Sequence, residues 1–332
     1  MRRMKCGLVV SIMVMLPLFM VGFLAAAEYP QRPVQLLVGY TAGGPVDLSA
    51  RALAEAAKPF FPKPFSVVNK PGGSGVVATA EIAKSSPDGY TLGEVSISHL
   101  FFAPHLEPGI PYKGPDDFQF IVSACTAYEA IGVRADSPWK TIKDFIDYAK
   151  ANPGKLRVGN AGLGTTTHLD AISMRMAAGV PITDVPFAGA APAITALLGG
   201  HIEGVSLNMM PILPHAQAGK LRFLAVFANE RITDVPELKD VPTFKELGYD
   251  VITNGSPYFI VGPKKMPKNV VDMLYDSLLK AEKTDLYRKF CRENLLTLDF
   301  KGPDQLTKEA AKYFAFYGDF IKEKGIRSML QK

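Results

Sequence analysis

Three glycine-rich stretches carry the residue types best suited to grip an anion without a cationic side chain. The first reads Gly39-Tyr40-Thr41-Ala42-Gly43-Gly44-Pro45-Val46-Asp47, and the second Asn69-Lys70-Pro71-Gly72-Gly73-Ser74-Gly75. The third reads Gly159-Asn160-Ala161-Gly162-Leu163-Gly164-Thr165-Thr166-Thr167-His168. Each lies between an apolar run of strand type and a helical run. In an open α/β sheet that is where ligands sit, in the crevice beyond the carboxyl ends of the strands. A helix N-terminus there offers unsatisfied N–H groups and a partial positive charge. Glycine lets the backbone approach closely, and threonine hydroxyls add hydrogen bonds. Any one of these loops is as well explained by a tight turn; three together point to a binding cleft.

Catalytic and metal chemistry find less support. The segment Gly72-Gly73-Ser74-Gly75-Val76 departs from the G-x-S-x-G nucleophile elbow at its last position. Neither the first nor the third loop gives G-x-G-x-x-G, and no phosphate-binding G-x-x-x-x-G-K-[ST] occurs. His99, His105, His168, His201 and His215 show no metal-ligand spacing, so no metal or other cofactor is expected. A hydrolase would have to use Asp47 and His168. Asp47, however, sits in the first turn of a helix, where a carboxylate serves as cap and dipole partner. His168 lies just inside another helix, where packing or capping is the ordinary role.

The elements that must position these loops alternate. Residues 34–38 read as a buried strand, 46–57 as a helix with Val46, Ala50, Leu53, Ala54 and Ala57 on one face, and 65–68 as a strand. A helix through Ile82 and a strand over 91–95 follow, so the pattern is successive βαβ units with helices on both faces of a sheet. A second run begins near Phe120, with a strand at 130–133. The next helix has Thr141 as N-cap and Ile142, Phe145, Ile146 and Ala149 at helical spacing. Strands at 156–158, 204–207 and 221–227, a short strand ending at Val185, and helices through Met176 and over 191–198 continue it. An apolar run at 258–261 and helices near 270–284 and 306–321 close the chain.

The N-terminus reads as an export signal. Arg2, Arg3 and Lys5 precede an apolar run from about Leu8 to Leu24, and Ala25-Ala26-Ala27 supplies the small residues for cleavage before Glu28. An uncleaved anchor is the alternative, because the run is nearly long enough to span a bilayer. Removing residues 1–27 leaves enough chain for two ordinary domains and lowers the formal charge of +5 by the three leader charges. Near-neutral charge without a long basic run excludes a nucleic-acid footprint. Cys125 and Cys291 remain, and two buried free thiols are expected.

Nine segments in order, spread over almost all of the mature chain, resemble the receptor family of tripartite tricarboxylate transporters, also called Bug proteins. They are residues 39–55 (GYTAGGPVDLSARALAE), 69–75 (NKPGGSG), 87–92 (PDGYTL), 112–118 (YKGPDDF), 149–154 (AKANPG), 160–169 (NAGLGTTTHL), 185–200 (VPFAGAAPAITALLGG), 218–226 (AGKLRFLAV) and 240–247 (DVPTFKEL). The resemblance implies a type II periplasmic-binding-protein fold: two α/β domains, joined by two crossing strands, that close over a ligand like a Venus flytrap. Domain 1 is expected at 28–126 plus 256–332 and domain 2 at 127–255, with crossings near Cys125 and Ser256. Members bind small carboxylates, among them di- and tricarboxylates, acidic amino acids and aromatic acids, and hand them to a membrane permease. A periplasmic, non-enzymatic receptor is therefore expected; a ligand-presenting sensor subunit and a periplasmic hydrolase are the alternatives.

The family's ligand loop maps to Tyr40, Thr41, Ala42, Gly43, Gly44 and Asp47. Its second-domain carboxylate loop maps to Gly162, Gly164, Thr165, Thr166, Thr167 and His168. Its V-P-Y-x-G-G segment maps to residues 185–190 and contributes Phe187, Gly189 and Ala190, with Phe187 replacing the Tyr and Ala190 the second Gly. Ser96 and Ser206 complete the expected contacts. Relatives often read G-G-S-T-D where this chain has Gly43-Gly44-Pro45-Val46-Asp47, so this edge is less polar. The tryptophan common near positions 255 and 256 is absent.

Overall fold

The computed structural model describes residues 29–233 and 235–330, and the expected leader at 1–27 lies outside them. The first part of the chain runs β1 (Val34–Val38), α1 (Pro45–Ala57), β2 (Phe65–Asn69), α2 (Val76–Lys84), β3 (Thr91–Ser96), a π-helical turn (Ser98–Phe102), α3 (Ala103–Leu106) and β4 (Phe118–Ala127). The middle runs β5 (Glu129–Arg134), α4 (Ile142–Ala151), β6 (Arg157–Asn160), α5 (Thr166–Ala178), β7 (Thr183–Pro186), α6 (Ala190–Leu198), β8 (Gly204–Asn208), α7 (Met209–Gln217) and β9 (Leu221–Val226). The last part runs β10 (Ser256–Pro263), α8 (Lys268–Glu282), α9 (Asp285–Glu293), β11 (Leu296–Thr297), α10 (Pro303–Glu323) and α11 (Ile326–Leu330).

These strands form two sheets, and hence two lobes. The first has the order β11-β4-β10-β3-β1-β2 and the second β7-β6-β8-β5-β9. In both, the βαβ-linked strands pair in parallel, as β1 does with β2 and β3, and β6 with β7 and β8. The strand that returns from the second lobe, β10, lies antiparallel between β3 and β4. The chain leaves the first sheet after Ala127 and enters the second at Glu129, with only Tyr128 between.

Local sequence explains the elements. In α4, Thr141 accepts the Asp144 N–H at 3.1 Å while the Asp144 carboxylate accepts the Thr141 N–H at 2.9 Å, a reciprocal capping box. The spacing of Ile142, Phe145, Ile146 and Ala149 puts all four against the second sheet, in one cluster with Ile131, Val133 and Val158. Glycine at 204 lets Phe145 close on the sheet, since a Cβ there would lie 2.8 Å from the Phe145 ring. Helices α1, α8 and α9 cover one face of the first sheet, and α2 and α10 cover the other. Helix α5 bridges the lobes: Ala171 and Met174 pack in the second, while Leu169 and Ile172 join the first lobe's α10-side cluster. Cys125 and Cys291 are buried, free thiols in the first lobe.

Candidate functional site

The β1–α1 loop is shaped by its glycines and fixed by one carboxylate. Gly44 is the N-cap of α1 with extended φ/ψ and no side-chain cap, and Pro45 follows at a position that needs no N–H. Asp47, one turn in, reaches back to accept the Gly43 N–H at 2.8 Å, which lets Gly43 hold a φ of +83°. Its other partners are the Arg51 guanidinium at 2.9–3.1 Å and the Asn69 amide at 2.8 Å, and the same amide also donates to the Tyr40 carbonyl at 3.0 Å. Burial alone would raise the Asp47 carboxyl, but these bonds outweigh it and hold the group below its ordinary range. Asp47 therefore braces the loop.

The second glycine loop turns through left-handed backbone at Gly72, Gly73, Ser74 and Gly75. Only glycine fits position 75, because a Cβ there would fall 1.9 Å from His99 Nε2. His99 packs on Tyr40 with 5.1 Å between ring centroids, and its Nδ1 accepts the Ser96 N–H at 3.1 Å. Burial pushes its pKa down to about 4, so the ring is neutral.

Across the cleft, the loop before α5 satisfies much of its own polarity. Thr165 Oγ1 donates to the Gly162 carbonyl at 2.7 Å, Thr167 Oγ1 accepts the Ala161 N–H at 3.0 Å, and Asn160 accepts the Gly162 N–H at 3.0 Å. His168 Nδ1 accepts the Gly164 N–H at 3.1 Å; burial first, then the Arg175 charge, lowers its pKa to about 4. Thr166 ties the lobes together. Its N–H donates to Ser98 Oγ at 3.0 Å, and its hydroxyl lies 3.1 Å from both Ser98 Oγ and Ser256 Oγ. At the cleft lip Ser74 Oγ donates to the Leu163 carbonyl at 3.0 Å.

Between the lobes lies a cavity of about 630 Å³. From the first lobe its wall includes Tyr40, Thr41, Ala42, Gly43, Gly44 and Ser96; from the second it includes Gly162, Thr165, Thr166, Thr167, Phe187, Gly189 and Ala190. Four expected contacts are not on this wall: Asp47, Gly164, His168 and Ser206. Asp47, Gly164 and His168 are turned into their own loops by the bonds above, and Ser206 is fully buried in β8. The second glycine loop, one of the three that pointed to a cleft but given no individual contact, lines the cavity with Pro71, Gly72, Gly73 and Ser74. Sequence reasoning missed Ser98, Glu129, Asn208, His215, Ser256 and Tyr258. Glu129, Ser256 and Tyr258 flank the passages between the sheets, so locating those passages more closely was the signal that could have found them.

The chemistry of the wall follows from its composition. The N-termini of α1, α5 and α6 reach it through Gly44, Thr165–Thr167 and Gly189–Ala191, and Val46, Phe187 and Ile194 supply apolar surface. No Lys or Arg lines it, and Glu129 is its one carboxyl. Such a wall can hold an anion by N–H dipoles and hydroxyls and enclose an apolar body. Among the described residues no group of three or more His, Cys, Asp or Glu side chains is placed to hold a metal ion.

Comparison with known proteins places the chain. Residues 49–326 match the model of the tripartite tricarboxylate transporter family receptor. A UPF0065 protein from the gbd 5' region of Cupriavidus necator is 37% identical over 264 residues, covering 80% of this chain and 79% of that protein. Protein BugT of Bordetella pertussis is 30% identical over 305 residues, covering 91% and 92%. Among solved structures, one described as a periplasmic transporter superposes with a TM-score of 0.84 at 31% identity, over 89% of this chain and 98% of that one. An R. palustris protein solved with adipate superposes with a TM-score of 0.83 at 26% identity, over 90% and 99%.

Proposed function

The chain belongs to the tripartite tricarboxylate transporter receptor family, solute-binding proteins with the two-domain periplasmic binding-protein fold, and on that premise we propose that its cleft captures a small carboxylate for a membrane permease. The observation that carries the reading is the cavity wall. Both lobes contribute to it, three helix N-termini and several hydroxyls reach it, and no Lys or Arg does. Its volume of about 630 Å³ suits a metabolite-sized ligand. A similar protein solved with adipate supports the class of ligand.

In this reading the contacts are Tyr40, Thr41, Ala42, Gly43, Gly44 and Ser96 on one side and Gly162, Thr165, Thr166, Thr167, Phe187, Gly189 and Ala190 on the other. A ligand bridging both sides favours the closed arrangement, because only there does it make both sets of contacts. We assign domain 1 to residues 28–126 plus 256–332 and domain 2 to 127–255. We also assign export to a leader cleaved after Ala27, which leaves the receptor in the periplasm. Binding without turnover fits the engagement of Asp47 and His168 in their own loops, which leaves neither poised as a catalytic base. The test is native mass spectrometry of protein purified from the periplasm. A co-purifying small carboxylic acid, released on denaturation, is the expected result. A co-purifying cation or neutral sugar would overturn the reading.

A further inference from the structure

A pair of buried acids beneath the cleft has no role in the account so far. Glu129 opens β5 directly after the passage from the first sheet, and Asp170 lies on α5 one turn beyond Thr166. The two carboxyls lie close enough to act on each other directly. Glu129 is 0% exposed and Asp170 1%. Glu129 Oε1 also accepts the Asn208 amide at 2.8 Å, whereas Glu129 Oε2 and both Asp170 oxygens meet no donor group. Ionised carboxylates are acceptors only, so these buried oxygens can serve one another only when the pair carries protons.

The surroundings offer no cation in its place. Tyr258 from β10 and Tyr317 from α10 face the pair as phenols that burial keeps protonated. On α5 itself His168 is neutral, and Arg175 is paired with Asp184 of β7 at 2.8 Å. Among the described residues neither Glu129 nor Asp170 takes part in an ion pair. Burial pushes the Glu129 carboxyl up to about 8, and burial with the Glu129 charge raises Asp170 well above the carboxylate range.

Glu129 and its partner Asn208 both line the cavity, whose wall holds no Lys or Arg to offset a negative charge. We propose that Glu129 is a specificity-determining residue of the cleft, acting as an uncharged acid beside an equally protonated Asp170, so that the cleft takes an anionic ligand only while both carboxyls keep their protons. The inference rests on the carboxylate reading of the cleft. Each unit of charge that appears on the pair lies within about 10 Å of a bound anion, and weakens its binding about tenfold. The direction follows from the raised carboxyls: both protons are held below about pH 8 and Glu129 loses its own above it, so affinity is full on the acid side and falls on the alkaline side. Reciprocally, binding of the anion draws a proton in.

The test has a readout that needs no ligand. Infrared spectroscopy of the wild type near neutral pH should show a buried protonated carboxyl band that Glu129→Gln with Asp170→Asn removes. Calorimetric titration with adipate and with benzoate between about pH 6 and about pH 9 then reads the linkage. Affinity for the bound probe should fall about tenfold or more in the wild type and stay level in the double variant. An acid band that the substitutions leave unchanged, or affinity in the wild type that ignores pH, overturns the proposal alone. Failure of either probe to bind at every pH, with the acid band present, overturns the carboxylate reading and this proposal with it. Should the double variant not fold, Glu129→Gln alone decides by the same two readouts, because buried Glu94 and Glu282 also hold protons in the wild type.

Discussion

At the scale of single residues, the site depends on side chains that never touch its cavity. Asp47 holds the Gly43 N–H, the Arg51 guanidinium and the Asn69 amide together, and through them the wall from Tyr40 to Gly44. Replacing Asp47 with Asn keeps the shape but removes the charge that these donors meet. We expect Asp47→Asn to cost about 1–3 kcal/mol in urea unfolding at neutral pH and to weaken ligand binding. Its carboxyl is depressed in the folded state, so the contribution is present above the ordinary aspartate range and disappears as pH falls through the folded value. A variant as stable and as tight-binding as the wild type would show that the brace does nothing. The sequence offered a local role for Asp47 and His168, cap and dipole partner for the first and packing or capping for the second, because a carboxylate or imidazole just inside a helix has backbone donors within reach, although both also stood among the expected ligand contacts and neither is on the wall. It could not mark Glu129 or Tyr258, since their place on the wall arises from two segments 129 residues apart that meet only in the folded sheets.

Helices and strands were legible where one face is buried. The buried run at 34–38, the strand read at 65–68 and the capped helix α4 follow directly from residue type, apolar period and capping chemistry. Other elements were hidden for physical reasons. Helix α7 carries Pro211 in its first turn, which needs no intrahelical N–H, and Pro214 in its interior, where one backbone bond is lost and the buried Ile212 and Leu213 anchor the helix. Helix α9, with the sequence DLYRKFCRE, buries only Tyr287 and Cys291, too narrow an apolar stripe to stand out. Strand β4 is ten residues long and buried on both faces, so it lacks the alternation that would have revealed its extent. The best-specified helix provides the prediction at this scale. Phe145 of α4 is fully buried beside Trp139, so Phe145→Ala should cost about 3–5 kcal/mol, read as a lower urea midpoint. A loss under about 1 kcal/mol would mean that this face does not anchor the second lobe.

For the whole molecule, the two sheets matter because they set two unlike walls against each other across a passage of one residue, Tyr128, and the returning β10. Contacts between the lobes include the exposed Ser74–Leu163 bond at the lip, the buried Ser98–Thr166 bond deeper in, and apolar packing behind, where Leu169 and Ile172 of α5 pack with the first lobe. This division lets the lip open while the back stays packed, and a ligand bridging both walls would favour closure. Ala190, the first residue of α6, tests that account because it lines the cavity and has little side chain to lose. The most direct measurement is calorimetric titration of a panel of small carboxylates into the wild type and Ala190→Glu, at matched melting temperatures. The account predicts that at least one carboxylate saturates the wild type at one site, while Ala190→Glu gives no binding heat, since a charged side chain then occupies the anion's place. A folded Ala190→Glu variant that binds the same carboxylate as tightly as the wild type would contradict it.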